Sequence, residues 1–402
     1  MSGAALALAV TLSWNATALN LGADRPDFFS STAFMSPRGT EGLLVKSLLE
    51  ITQGKTQAAL DTIDLLIKAA PNFKLAHLVR GDLLMARARE LNGFGAGTNA
   101  DSEAIIDFQD EARVRLRHYL SHQRADNIPE YLWQLDASQK HAVVVDTSQS
   151  RLYLYRNENG QPRYIADFYV SVGKNGTVKQ KEGDKRTPLG VYVAGARLTR
   201  KLPDFYGTAA FPLSYPNEWD RRQGKNGHGI WLHGTPSDTY SRPPRASDGC
   251  VVLSNPDISA LIPILQDGKT PVIITREIEN IDRETLSALR EDLQAALEDW
   301  RRAWETQDTD NYLAFYSRDF FSQDRDFKRW AEEKRRIQSS KSPAQISLSN
   351  LSMFRYPDDD REMVVVNFDQ KFNNGKLNNT MRKRQYWIRE DRDWKILYEG
   401  AV

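Results

Sequence analysis

The chain has one cysteine, Cys250, in 402 residues. A disulfide framework within the chain is therefore excluded, and buried apolar surface must hold the fold. It also lacks an excess of either charge, with 54 basic and 53 acidic side chains and a formal net charge of +1. That leaves no electrostatic case for nucleic acid or for an anionic membrane surface. Long apolar runs are missing as well: the stretch Ala4-Ala5-Leu6-Ala7-Leu8-Ala9-Val10 is too short to cross a bilayer. Histidine is scarce, at six. His118 and His122 stand at i, i+4, a spacing that could bind a metal, but no third ligand accompanies them and a solvated helix face is expected. The length implies two to three domains, each large enough for its own core.

The sole thiol lies in the most informative stretch, His228 to Asn255, which reads HGIWLHGTPSDTYSRPPRASDGCVVLSN. Gly229 to His233 is apolar and β-rich, and Gly234-Thr235-Pro236-Ser237 ends it with turn chemistry. His233 then stands at a strand end, seventeen residues before Cys250. Gly249 allows a tight turn and leaves room for substrate beside the thiol. Val251-Val252-Leu253 returns to the core, and Ser254-Asn255-Pro256-Asp257 reads as the cap of a helix expected over Ile258 to Leu265. A thiol is mostly protonated at neutral pH, so an imidazole must take its proton or stabilise the thiolate. Cys250 and His233 are thus candidate nucleophile and base. The backbone N–H groups of Gly249 and Cys250 could face a developing oxyanion. His228 is the rival base, but alternation puts 229, 231 and 233 on one strand face and 228 on the other. Arg245 could hold a substrate carboxylate or be a solvated arginine. Ser247 could orient His233 or shape the turn. Asp248 could hold an amine or guanidinium, or take no part.

HG followed by SDGC resembles the catalytic motif of the L,D-transpeptidase (YkuD) family. Arg186-Thr187-Pro188-Leu189-Gly190, Val143-Val144-Val145-Asp146 and Arg151-Leu152-Tyr153-Leu154-Tyr155 support the resemblance, which covers roughly residues 140 to 276. Asp248 is a departure, because many members have a second histidine there. The resemblance implies a β-rich catalytic domain that works without a metal or organic cofactor. It implies peptidoglycan stem peptides as substrate, with Cys250 forming a thioester at the diaminopimelate–D-alanine bond of a tetrapeptide. A neighbouring stem amine would give L,D-transpeptidation and water would give L,D-carboxypeptidation. A catalytically silent peptidoglycan-binding scaffold is the alternative of another class, and a cytosolic thiol hydrolase a third.

The fold expected is multidomain α+β. Residues 1–23 form a signal-like segment with an A-x-A site at Ala16-Thr17-Ala18 but no basic n-region, implying export to the periplasm or cell envelope. Residues 24–136 are helical, and Gly54 to Arg89 resembles a tetratricopeptide hairpin through Ala58, Leu60, Pro71, Ala76 and Gly81. This region is either a platform for cell-envelope partners or a homodimer contact, or else a helical cap on the catalytic domain. Residues 139–277 form the catalytic domain, with Asn159-Gly160 as a hairpin turn. Residues 282–402 begin with an amphipathic helix over Asp282 to Thr306 and end in antiparallel strands. They resemble the NTF2-like (SnoaL-like) cone attached to cell-shape peptidoglycan enzymes, whose aromatic residues are expected to be core.

Overall fold

The computed structural model describes residues 39–91, 93–96, 101–121, 128–323, 325–339, 344–357, 361–375 and 377–402. The signal-like segment and His122 lie outside them. Three helices, α1 (Gly39–Thr52), α2 (Thr56–Ala69) and α3 (Lys74–Met85), pack with α4 (Ser102–Leu120) around Leu44, Leu48, Ile63, Leu66, Val79 and Ala112. Leu-rich stripes at helical spacing bury one face of each helix. Tyr240, from the loop before Cys250, packs against this same cluster. The helices therefore rest on the catalytic domain.

The catalytic domain is built on a five-stranded sheet in the order Gln161–Tyr169, Arg151–Glu158, His141–Asp146, Pro271–Thr275, Gly190–Val193. The central pair, His141–Asp146 and Pro271–Thr275, is parallel and the other pairings are antiparallel. Asn159 and Gly160 both have positive φ, 54° and 88°, as the tight hairpin they make requires. A smaller sheet runs Val251–Val252, Trp231–His233, Ala210–Pro212. Val143, Val145, Leu152, Leu232, Val251 and Val272 fill the space between the two sheets together with Ile258 of helix α6 (Asn255–Leu261), which follows the five-residue α5 (Glu218–Arg222). The Ser254 side chain caps α6 by accepting from the Asp257 amide. The helix stops at Leu261, four residues short of the expected end.

The C-terminal domain packs α7 (Arg283–Glu305), α8 (Thr309–Ala314) and α9 (Phe327–Gln338) against one face of a seven-stranded sheet. Asp282 caps α7 by accepting from the Thr285 amide. Tyr316–Ser322, directly after α8, is a strand of this sheet. The outer edge strand is Leu132–Gln134, which sequence placed in the helical region. The opposite face of the sheet lies on the catalytic sheet: Val144, Tyr153, Tyr155 and Ile273 share one core with Phe354, Val365, Tyr386 and Tyr398. Val143-Val144-Val145 is continuously apolar because both faces of its strand are covered. Each such buried branched side chain contributes about 1.5–3 kcal/mol. Polar contacts seal the seam, with Glu218 accepting from the Tyr386 hydroxyl at 2.7 Å and Asn217 donating to the Tyr356 hydroxyl at 3.0 Å.

Candidate active site

His233 and Cys250 are brought together by a parallel strand pair. Val251 is in register with Leu232 and Val252 with His233, and the Leu253 amide donates to the His233 carbonyl at 2.9 Å. Ile230, Leu232, Val251 and Leu253 point into the core. By alternation, Trp231, His233 and Cys250 share the other face, with Cys250 level with Trp231. The strand is shorter than the apolar run suggested, Trp231–His233.

The imidazole is nearly enclosed, at 1% exposure. Its Nδ1 lies 2.7 Å from the Gly234 carbonyl, an acceptor, so Nδ1 carries the proton and Nε2 keeps a free lone pair. A β-carbon on Gly234 would fall 2.2 Å from Asn255 Oδ1, which is why the carbonyl can be held this close to α6. Tyr206 packs edge-on to the imidazole at 5.2 Å and Phe205 at 5.9 Å. Burial pushes the His233 pKa down to about 4; the Gly234 carbonyl opposes this and the Arg242 charge adds to it. The imidazole is therefore neutral at neutral pH. Burial likewise pushes the thiol up to about 11, against the Trp231 amide and Arg242, which lower it. The thiol donates to the Gly229 carbonyl at 3.3 Å rather than to the imidazole. At rest both the thiol and the imidazole are therefore neutral.

The turn before the thiol is fixed from several directions. Gly249 has φ +123°, and a β-carbon there would lie 2.8 Å from the Arg186 carbonyl. Thr187 Oγ1 donates to the Gly249 carbonyl at 3.0 Å and accepts from the Gly173 amide at 2.8 Å. Ser247 Oγ donates to the Cys250 carbonyl at 2.6 Å and accepts from the Gly249 amide at 3.1 Å. Of the two readings of Ser247, the geometry fits the one that shapes the turn: its hydroxyl proton goes to the Cys250 carbonyl. The Gly249 amide is engaged by Ser247, whereas the Cys250 amide has no hydrogen bond among the described residues.

The remaining candidates lie further out. Asp248 is exposed and pairs with Lys174 at 3.0 Å. Arg245 is exposed, on a short strand that pairs with Val172. His228 is 82% exposed, near Glu182 at 3.6 Å, as a surface histidine would be. His118 is not on a solvated face: it contacts Asp167 at 2.9 Å and stacks edge-on with Tyr153. Among the described residues no cluster of His, Cys, Asp or Glu could hold a metal, and no helix is long and apolar enough to cross a membrane. Sequence reasoning missed Phe205, Tyr206 and Arg242. Nothing local distinguishes them from ordinary loop residues, since tertiary packing alone brings them to the imidazole.

The domain carrying His233 and Cys250 and the sheet domain behind it each match a known family model. The L,D-transpeptidase catalytic domain model, YkuD, matches residues 140–274, and the Cds6 C-terminal NTF2-like domain model matches residues 292–400. Among solved structures, Bd1075 of Bdellovibrio bacteriovorus is similar at 28% identity and TM-score 0.60, covering 69% of this chain and 98% of that one. The helical cell shape determining protein Pgp2 of Campylobacter jejuni is similar at 28% identity and TM-score 0.59, covering 68% and 95%. No curated protein matches the chain. The helices α1 to α4 lie outside both domain models.

Proposed function

We propose that this chain is a cysteine acyltransferase of the cell envelope that acts on the tetrapeptide stems of peptidoglycan. Cys250 Sγ attacks the carbonyl at the L-centre of meso-diaminopimelate, and His233 Nε2 takes the thiol proton. The same imidazole returns that proton to the departing D-alanine nitrogen, leaving a thioester. The Cys250 amide donates to the oxyanion, where one such hydrogen bond contributes on the order of 10²–10³ in rate. An amine from a neighbouring stem resolves the thioester in L,D-transpeptidation, and water resolves it in L,D-carboxypeptidation. The observation that carries this reading is the register that puts Cys250 and His233 on one face, with Gly234 holding the imidazole in the accepting tautomer.

Incubating the purified full chain with disaccharide-tetrapeptides tests the proposal. Release of D-alanine is expected, and the ratio of crosslinked dimer to tripeptide assigns the acceptor. Inert protein that still binds sacculi would favour the silent scaffold instead. Export is part of the same reading, and a mature N-terminus near Leu19 is its expected sign. The helical and cone regions are then the surfaces for envelope partners or a second copy, which crosslinking in cells would capture.

A further inference from the structure

The loop from Gly234 to Arg245 separates base from nucleophile, and the N-terminal helices pin it at several points. Asn72 Nδ2 donates to the Ser237 carbonyl at 3.0 Å, and the Asn72 carbonyl accepts from the Tyr240 amide at 3.2 Å. Tyr240 stacks on Phe73 at 4.7 Å, and its hydroxyl meets that of Thr40. Ser241 Oγ donates to Glu111 at 2.5 Å. Arg115, which holds Glu111, lies 3.6 Å from the centre of the Tyr169 ring, whose hydroxyl donates to the Arg242 carbonyl at 2.8 Å. The backbone around Arg242 is thereby fixed by groups that never reach the cleft.

The Arg242 side chain faces the other way. Its guanidinium lies 4.5 Å from the centre of the Phe205 ring, and that ring also packs on His233. No carboxylate among the described residues forms an ion pair with it, and the nearby Asp248 is held by Lys174. A half-buried guanidinium stacked on an aromatic ring keeps its planar fork of donors available for a carboxylate. Position narrows which one. The imidazole must reach the leaving nitrogen, and the carboxylate of the leaving residue is two bonds from that nitrogen.

We infer that Arg242 binds the terminal carboxylate of the leaving residue, so that the site selects peptides ending one residue beyond the bond it cleaves. The inference rests on the proposed reaction for its choice of substrate. It moves the carboxylate contact from Arg245, which is exposed, to an arginine three residues earlier. On this reading α4 and the Asn72 turn position a substrate-binding side chain.

The test uses the full chain carrying Cys250→Ala, titrated calorimetrically with disaccharide-tetrapeptide and with the same molecule bearing a terminal carboxamide. A charge-assisted bidentate contact predicts the acid binding about 10- to 100-fold tighter than the amide. Adding Arg242→Gln should bring the two affinities together, while Arg242→Lys, the variant more certain to fold, should keep part of the preference. Equal binding of acid and amide by the starting protein, absence of binding, or a preference that survives Arg242→Gln each overturns the inference. D-alanine release by the protein with Cys250 intact is scored separately. Acid preference without release sinks the reaction and keeps the carboxylate site; release without acid preference does the reverse. In an active protein, Ser241→Ala should raise KM for the acid several-fold with kcat unchanged, and a fall in kcat alone would contradict the positioning role.

Discussion

Two buried sets of titratable groups lie on either side of the loop from Gly234 to Arg245, and they are ionised in opposite ways. At the candidate active site, burial is the largest influence on His233 and on Cys250, and it leaves both neutral. Under the helices, burial also pushes on Asp167, but His118, Arg151 and the Tyr164 hydroxyl outweigh it and hold the carboxyl at about 2. Arg115 bridges Glu41 and the fully buried Glu111, and Arg151 bridges Glu41 and Asp167. Partners outweigh burial at Asp167 and Glu41, whereas at Glu111 burial outweighs Arg115 and raises the carboxyl. One set is the candidate pair, held neutral; the other is a network of ion pairs under the helices.

The sharpest way to break this contrast is to remove the sulfur. Cys250→Ala should abolish D-alanine release, by a factor on the order of 10⁴ or more, while its urea midpoint stays close to wild type. Residual release within tenfold of wild type would place the nucleophile elsewhere. His233→Gln keeps a polar side chain but removes the titratable base, and kcat should fall by about 10²–10⁴. A smaller loss would mean that another group takes the thiol proton.

On the charged side the readout is stability. Arg115→Met leaves Glu41 and Glu111 without their shared cation and should cost about 3–5 kcal/mol in urea unfolding. A loss below about 1 kcal/mol would show that the seam is not a paired cluster. The smallest expected effects are on pH dependence, and the two sets differ in where they act. Catalysis needs neutral His233, so the acid limb of kcat/KM should fall near pH 4 and not near the ordinary imidazole value. A limb close to that ordinary value, about 6.5, would contradict the buried base. Asp167 has a folded pKa below its unfolded one, so its stabilisation is present above about pH 4 and is lost as pH falls toward about 2. Asp167→Asn should flatten wild-type acid unfolding in that window, and an unchanged profile would remove the residue from the seam.

Much of the fold was legible because its signals are local. The cap run from Ser254, the Asn159-Gly160 turn and the amphipathic helix beginning at Asp282 are set by residues a few positions apart. The same holds for the placement of His233 on the face of residue 231. What escaped was set by residues far apart in sequence. Leu132–Gln134 has no strand signal of its own and is extended because Met353 and Phe354 offer it an edge. Tyr316–Ser322 is extended through its pairing with Ile396 and Tyr398, which lie some eighty residues further along the chain. Arg245 and Arg242 are equivalent in composition; only the packing of Phe205 and Tyr169 separates a solvent-facing arginine from one at the imidazole. The occupied Gly249 amide could not be anticipated either, because Ser247 was free to turn toward His233 until the loop geometry placed it beneath Gly249.

The most direct test of the account is the covalent state of Cys250 during turnover. Intact-mass measurement of the full chain, quenched in acid after mixing with disaccharide-tetrapeptide, should show one added disaccharide-tripeptide acyl group on wild type and none on Cys250→Ala. Released D-alanine should appear in step with that adduct. D-alanine released by both proteins with no adduct on either would contradict the thioester and, with it, the pairing of Cys250 and His233 as the reacting groups.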